Sequence, residues 1–230
     1  MKRIGLIGGM SWESSAEYYR ILNQTINKRL GGHHSCECVM FSIDFEKFQQ
    51  FQHEDNWQGV TDMLVNAAQI LEASGAELIA LCANTAHKMA PEVCAATHIP
   101  LVHIVDVTAE AIKKQNIKRI GLIGTKFTME EAFYKNWLIE KHGLEVVVPD
   151  SKEIQTIHKV IFEELVFGVV NDKSKQAYLQ IMQHLIERGA EGVILGCTEI
   201  PHLISQLDCA YPIFDTTTLH AEKIVELSLQ

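Results

Sequence analysis

The stretch KRIGLIG at residues 2–8 recurs without change at residues 118–124, and this repeat decides the fold. A second correspondence aligns GAELIALCA at residues 75–83 with GAEGVILGC at residues 189–197, at an offset of 114 (189 minus 75). In both places Gly-Ala-Glu precedes an apolar run that ends in a polar turn. Repeats of this kind indicate duplicated units, so we predict two lobes of similar construction.

Outward from the repeat, β-rich apolar runs alternate with helix-length amphipathic segments along the whole chain. This alternation predicts an α/β fold with mainly parallel sheets covered by helices. The predicted strands are residues 3–7, 37–42, 78–81, 101–103, 119–123, 145–148, 192–195 and 213–214. The predicted helices are residues 14–29, 57–74, 107–115, 129–141, 152–167, 173–188 and 216–229. We expect the last strand and helix to return to the first lobe, so that the lobes comprise residues 1–103 plus 212–230 and residues 104–211.

Composition and charge limit the possible partners. The chain has 230 residues, of which 47% are hydrophobic, enough to build a substantial core. Its 29 acidic and 20 basic residues give a net charge of -9, which repels phosphate backbones and anionic membrane surfaces. The N-terminal apolar run is too short for a signal peptide or membrane span, and the six cysteines form no compact framework. We therefore expect a cytoplasmic protein with no nucleic-acid or membrane partner.

Ligands in open α/β sheets collect beyond the carboxyl ends of the strands, which directs attention to residues 8–13, 82–87 and 197–202. The first segment, GGMSWE, leads into a helix that Ser11 or Ser14 could cap, so its backbone donors could face an anion. It lacks the spacing of dinucleotide sites and the lysine of a phosphate loop. A strand-to-helix turn that needs glycine for its geometry explains this segment equally well.

The other two segments are dense in chemically active groups. Residues 82–87, CANTAH, place a thiol, an amide, a hydroxyl and an imidazole after a buried strand, and residues 197–199, CTE, do the same in the second lobe. A single cysteine at a strand end is more often a small buried apolar residue than a nucleophile or base. Two such turns at equivalent places in a duplicated chain favour function.

Three motifs carry a family resemblance: GGMSWES at residues 8–14, NTAH at 84–87 and GCTEI at 196–200. In this order and spacing the chain resembles the aspartate/glutamate racemase family over essentially its whole length. The resemblance implies two Rossmann-like lobes related by a pseudo-twofold axis, with the active site in the cleft between them. It also implies an isomerase that needs no pyridoxal phosphate or other cofactor, acts on a small acidic amino acid and forms a homodimer.

The chemistry that the resemblance implies is two-base racemisation, in which one group removes the α-proton and another returns a proton on the opposite face. Cys197 is expected to be one acid/base, since a thiol pKa of ~8.5 can be lowered toward neutrality. Asn84, Thr85 and Thr198 would hold the α-carboxylate and stabilise the charge that develops on it. The substrate-binding residues implied in total are Met10, Gln52, Asn84, Thr85, Thr198 and Glu199.

Position 83 departs from the family pattern. A cysteine, or in some members a threonine, usually precedes the Asn-Thr pair, but this chain has Ala83, and the repeat pairs Ala83 with Cys197. Cys82 is one residue out of register and should point away from the cleft if the strand geometry persists. The chain could be a crippled or one-sided racemase, could relay protons through Thr85, His87 or water, or could distort the turn to bring Cys82 in. We expect weak or stereochemically lopsided activity.

Further candidates are less specific. Gln52 lies in a polar stretch that contributes to substrate binding in the family, although a solvated loop explains it equally well. Glu163 and Glu164 match the family's Glu-Leu helix near the site, and we assign Glu164, with Cys82 and His87, to supporting positions. The cluster of residues 33–38, HHSCEC, does not match the spacing of known metal sites, so we predict no metal.

Two other functions remain open on sequence grounds. A superfamily enzyme with one thiol, such as a decarboxylase that protonates an enolate-like intermediate from one face, also fits Ala83. So does a degenerate racemase that only binds an amino acid.

Overall fold

A computed structural model describes all 230 residues and divides them into two compact units. The first unit comprises Met1–His103 and His220–Gln230, and the second comprises Ile104–Leu219.

The first unit is built on a three-stranded parallel sheet of order β2-β1-β3. Its strands are β1 (Ile4–Gly8), β2 (Cys38–Ser42) and β3 (Leu78–Leu81), and its helices are α1 (Trp12–Leu30), α2 (Phe45–His53), α3 (Trp57–Ala73) and α4 (Ala90–Ala96). Every residue of β1, the inner strand, is buried, and so is every residue of β3, as expected for a parallel sheet covered on both faces. Gly5 lets α3 approach β1 closely, because a Cβ there would lie 3.3 Å from the Cβ of Leu71.

The second unit repeats this plan and adds a strand, giving a four-stranded parallel sheet of order β5-β4-β6-β7. Its strands are β4 (Arg119–Gly124), β5 (Glu145–Val147), β6 (Val193–Gly196) and β7 (Ile213–Asp215). Its helices are α5 (Ile104–Lys114), α6 (Lys126–Glu130), α7 (Ala132–Asn136), α8 (Ser151–Glu163), α9 (Asp172–Glu187) and the start of α10 (Thr216–Ser228), whose remainder belongs to the first unit. The repeated heptapeptide forms the inner strand β1 in one sheet and β4 in the other. The predicted α/β class with parallel sheets is confirmed.

Several predicted elements are wrong. Residues 101–103 form no strand, only a single bridge from Leu101 to Ile79. The predicted helix at 129–141 is interrupted at Glu131, whose extended backbone separates α6 from α7, and its last turn, Trp137–Lys141, is a π-helix. Helices α2 and α4 were not predicted. Helix α2 buries only Phe48 and therefore lacks the apolar stripe that marks a helix in sequence.

The predicted lobe boundary at residue 212 is also wrong. Strand β7 pairs in parallel with β6, and the amide of Val193 donates to the carbonyl of Pro212, so this strand belongs to the second sheet. The chain returns to the first unit only at His220. Among all the helices, none is both long and apolar enough to cross a membrane.

Candidate active site

The turn after β6 holds a compact hydrogen-bonded set of three side chains. Cys197 Sγ lies 3.0 Å from Glu199 Oε2, and Thr198 Oγ1 donates to the same oxygen over 2.8 Å. Cys197 is 6% exposed and the other two are 3% exposed. The strand ends in Gly196 because a Cβ there would lie only 2.9 Å from the carbonyl oxygen of Ile123 on β4. Tight packing of two parallel strands thus fixes the start of the turn.

The electrostatic setting of Cys197 differs from the sequence prediction. Burial raises the pKa of its thiol well above the ordinary value, and the charge of Glu199 raises this pKa further. The expected lowering toward neutrality is therefore wrong, since a sequence does not reveal how deeply a thiol is buried. In the structure the thiol is a donor and Glu199 is its acceptor.

Of the two glutamates on the 152–167 segment, Glu164 is the one directed inward. Glu163 is exposed and pairs with Lys159 at 3.7 Å, whereas Glu164 accepts a 2.7 Å hydrogen bond from Ser174 Oγ. The pKa of buried Tyr178 is raised by burial and then by the charges of Cys197, Glu164 and Glu199. These three groups therefore surround one tyrosine, whose hydroxyl donates to the backbone of α8.

The equivalent turn of the first unit, residues 83–87, is buried and polar but has no acid or base at its first position. Asn84, Thr85 and His87 are each at most 8% exposed, and His87 Nδ1 lies 2.9 Å from the carbonyl oxygen of Ala83. The side chain of Ala83 is a methyl group that packs in the core of the first unit. The structure therefore places Asn84, Thr85 and His87 in one buried turn after β3, whereas Thr198 lies in the turn after β6.

Cys82 does not substitute for the missing group. Its side chain has no exposed surface, and burial raises the pKa of its thiol. Its carbonyl oxygen accepts a 2.9 Å hydrogen bond from Ser14 Oγ, which ties the end of β3 to the first turn of α1. A thiol so enclosed packs as a small apolar side chain.

The glycine turn after β1 is shaped by packing. Gly9 has φ 87°, and a Cβ at this residue would lie 2.1 Å from the carbonyl oxygen of Ile43. Its amide donates to Ser15 Oγ over 2.7 Å, and Ser11 caps α1 by accepting from the amide of Ser14. Met10 is 4% exposed and packs in the core of the first unit, so its contact with substrate stays a prediction.

Gln52 lies on a helix, not in the loop that the sequence predicted. It is half-buried in the last turn of α2, which begins after the Asp44 cap. The signal that could have revealed this helix is that capping aspartate, whose side chain accepts from the amide of Glu46.

Sequence reasoning missed one group and assigned no role to a second. The hydroxyl of Thr217, in the first turn of α10 after β7, is buried without a hydrogen-bond partner. The signal for it was the polar run DTTT at residues 215–218 directly after a strand. The other group is His220, which shares hydrogen bonds with Tyr18 Oη at 2.7 Å and the carbonyl oxygen of Val102 at 2.8 Å. Burial lowers the pKa of His220 to about 3, so it is a neutral core histidine.

Comparisons with known proteins identify relatives that match the chain over nearly its whole length. The family model described as Asp/Glu/Hydantoin racemase matches residues 7–224. A crystal structure from Yersinia pestis assigned as an Asp/Glu racemase is 45% identical, with a TM-score of 0.93 and both chains fully covered. An aspartate racemase homologue from Pyrococcus horikoshii OT3 is 40% identical, with a TM-score of 0.87 and both chains again fully covered. The broad specificity amino-acid racemase RacX of Bacillus subtilis is 24% identical over 98% of each chain.

These relatives identify an isomerase of the amino-acid racemase class. The chain belongs to the Asp/Glu/Hydantoin racemase family.

Proposed function

We propose that this protein moves the α-proton of an aspartate- or glutamate-like amino acid, with Cys197 as its one thiol acid/base and no pyridoxal phosphate. The observation that carries the proposal is the buried Cys197–Glu199 hydrogen bond at the end of β6. The residue that the repeat pairs with Cys197 is Ala83. A second thiol would allow a proton to be removed on one face of the α-carbon and returned on the other. This chain has one.

The acid/base step begins with deprotonation of Cys197. Once the thiol proton has passed to solvent, against the opposing charge of Glu199, the thiolate takes the α-proton from the substrate. Negative charge develops on the substrate α-carboxylate as the proton leaves. Hydroxyl and amide groups of Thr198, Thr85 and Asn84 would stabilise that charge by hydrogen bonding.

Return of the proton distinguishes exchange from inversion. Cys197 can give a proton back to the face from which it took one, which replaces the α-proton without changing the configuration. Inversion requires a donor on the other face, where Ala83 offers only a methyl group. We therefore expect α-proton exchange to be faster than racemisation.

The acidic substrate is supported by the Asp/Glu/Hydantoin racemase model and by a structural neighbour that is an aspartate racemase homologue, whereas RacX, a broad specificity amino-acid racemase, supports only an amino acid in general. The family resemblance also supports a homodimer located in the cytoplasm. Light scattering coupled to size-exclusion chromatography tests the dimer by its mass.

Ala83→Cys tests the proposal, with Ala83→Ser as the matched control of similar size. With aspartate and glutamate as substrates, we expect Ala83→Cys to raise the racemisation rate at least about tenfold, within the contribution that a positioned acid/base makes. Ala83→Ser should racemise at a rate near that of the wild type. Cys197→Ser, introduced into the wild type or into Ala83→Cys, should abolish turnover. Equal turnover in all three position-83 proteins would contradict the proposed role of this position.

The single thiol also favours a second candidate, a decarboxylase that protonates an enolate-like intermediate on one face. Carbon dioxide released from a substituted malonate, in a protein that exchanges no amino-acid α-proton, would establish this candidate in place of the first. Calorimetric binding of aspartate without exchange or decarboxylation would identify a binding protein.

A further inference from the structure

Two further thiols, Cys36 and Cys38, lie just before and at the start of β2. Cys36 and Cys38 are both half-buried and lie two residues apart, and each thiol affects the pKa of the other. Strand β2 is an edge strand of the first sheet, paired on one side only, to β1. Neither thiol takes part in the proposed proton transfer.

Cys38 lines a groove of about 460 Å³ between α1 and β2. Cys38 and Met40 lie two residues apart and so share one face of the strand. Trp12 and Tyr19, seven residues apart on α1, form the opposite side of the groove. Trp12 is 66% exposed and Tyr19 is 52% exposed, so the groove is open to solvent within the described molecule. A small reagent therefore has a path to Cys38.

The two thiols differ in acidity because of their hydrogen bond. Donation from Cys36 lowers the pKa of Cys38 to about 7, although burial acts in the opposite direction. The same hydrogen bond, followed by burial and the charges of Cys38 and Glu37, raises the pKa of Cys36. At neutral pH Cys36 is thus a protonated donor beside a Cys38 that is partly thiolate. A thiolate with a neighbouring thiol is the arrangement of a nucleophile with its resolving partner.

We propose that Cys38 and Cys36 form a redox-active dithiol site, in which a hydroperoxide that enters the groove oxidises Cys38 and Cys36 then closes a disulfide. In the first step the Cys38 thiolate attacks the peroxide: an S–O bond forms, the O–O bond breaks, and the leaving alkoxide or hydroxide takes a proton. In the second step the Cys36 sulfur attacks the sulfenic acid, an S–S bond forms and water leaves. The two thiols are oxidised and the hydroperoxide is reduced to an alcohol or to water.

The backbone around Cys36 permits the second step. A disulfide needs the two Cβ atoms about 3.8 Å apart, closer than residues i and i+2 stand in a regular strand. Cys36 precedes β2, and its amide is held by the side chain of Asn23 over 2.9 Å, not by a neighbouring strand. Cys36 can therefore move toward Cys38 at the loss of one hydrogen bond to a side chain.

Alkylation rates test the nucleophile. The comparison residue is Cys94, an exposed thiol on α4 whose pKa is raised by burial. With iodoacetamide at pH 7 we expect Cys38 to react at least about fivefold faster than Cys94, because its larger thiolate fraction outweighs its lower intrinsic nucleophilicity. Cys36→Ala should slow Cys38, since the donor that lowers its pKa is gone. Equal rates at Cys38 and Cys94, or an unchanged rate in Cys36→Ala, would overturn the proposal.

Mass spectrometry tests the disulfide. Both cysteines lie in the tryptic peptide of residues 30–47, between Arg29 and Lys47. After treatment of the whole protein with hydrogen peroxide, we expect this peptide to be about 2 Da lighter than the dithiol form and to recover on reduction. In Cys36→Ala, dimedone should instead trap sulfenic acid on Cys38, and Cys38→Ser should give neither product. A disulfide that joins two protein chains, or peroxide that leaves this peptide as a dithiol, would refute the site.

Discussion

At the scale of the residue, the chemistry depends on how burial acts on Cys197. Its thiol is enclosed and hydrogen-bonded to a carboxylate, so both effects favour the protonated form. The repeat identified this residue from the sequence, and the pairing with Ala83 came from the same alignment. The direction of the pKa shift could not be predicted, because it depends on depth in the core and on the rotamer of Glu199.

The pH dependence of exchange tests this account of Cys197. Because the pKa of the thiol is raised, the thiolate that acts as base becomes more abundant as pH rises, and the exchange rate should increase with pH through neutrality and beyond pH ~9. Glu199→Gln removes the negative charge that opposes ionisation of the Cys197 thiol, so the exchange rate of this variant should rise at lower pH. Coincident pH profiles for the two proteins would show that Glu199 does not control the thiol.

At the scale of the element, the strands were easier to predict than the helices. Strands β3 and β6 follow Gly-Ala-Glu in both halves, and each is an unbroken apolar run that is buried throughout. Helix α2 was not predicted because Phe48 is its single buried residue, so its sequence shows no apolar stripe. The three-residue strand β7 was found, but its partner was not, since pairing with β6 depends on long-range packing that no local pattern specifies.

Helix α10 offers an element-scale prediction from two adjacent threonines. Thr216 Oγ1 donates to the carbonyl oxygen of Leu195 over 2.9 Å, whereas the hydroxyl of Thr217 is buried without a partner. Thr217→Val should stabilise the protein by about 1 kcal/mol, since it replaces an unsatisfied buried hydroxyl with a methyl group of similar shape. Thr216→Val, the matched control, should destabilise it by a similar amount. Thermal unfolding should show shifts of about 2–4 °C in opposite directions, and a lower Tm for Thr217→Val would contradict the assignment.

At the scale of the whole molecule, the repeat predicted two units with corresponding sheets, and the sheet orders β2-β1-β3 and β5-β4-β6 agree with it. The point at which the chain returns to the first unit was not predicted, because His220 lies in the middle of a continuous helix. There its ring joins Tyr18 of α1 to the backbone of Val102 and lies 5.7 Å from the ring of His87. This return segment is therefore fixed by buried polar contacts that a helical pattern does not reveal.

The stability of the whole protein should depend on pH through His220. Its folded pKa of about 3 is below the ordinary 6.5, mainly because of burial and then because of the charge of His87. Between these values the unfolded chain binds a proton that the folded chain does not, so the stability contributed by neutral His220 is present above pH ~6.5 and is lost as pH falls toward 3. Tyr18 and His103, which lie in the same cluster, do not reverse this sign, since neither supplies a negative charge.

Urea unfolding at several pH values measures this contribution. We expect His220→Gln to lose less stability than the wild type between pH 6.5 and 4.5, because the titrating group is gone. His53→Gln, a control at an exposed histidine, should lose as much stability as the wild type over this pH range. An equal loss of stability in His220→Gln and the wild type would show that the buried histidine does not govern acid sensitivity.

The most direct test of the central claim is to follow α-proton exchange in deuterated water, starting separately from each enantiomer of aspartate and of glutamate. A thiol at Cys197 that the repeat pairs with the methyl group of Ala83 predicts that one enantiomer takes up deuterium with its configuration retained, faster than either enantiomer is inverted. Equal, fast exchange from both enantiomers, accompanied by inversion, would contradict the account by demonstrating a second competent acid/base.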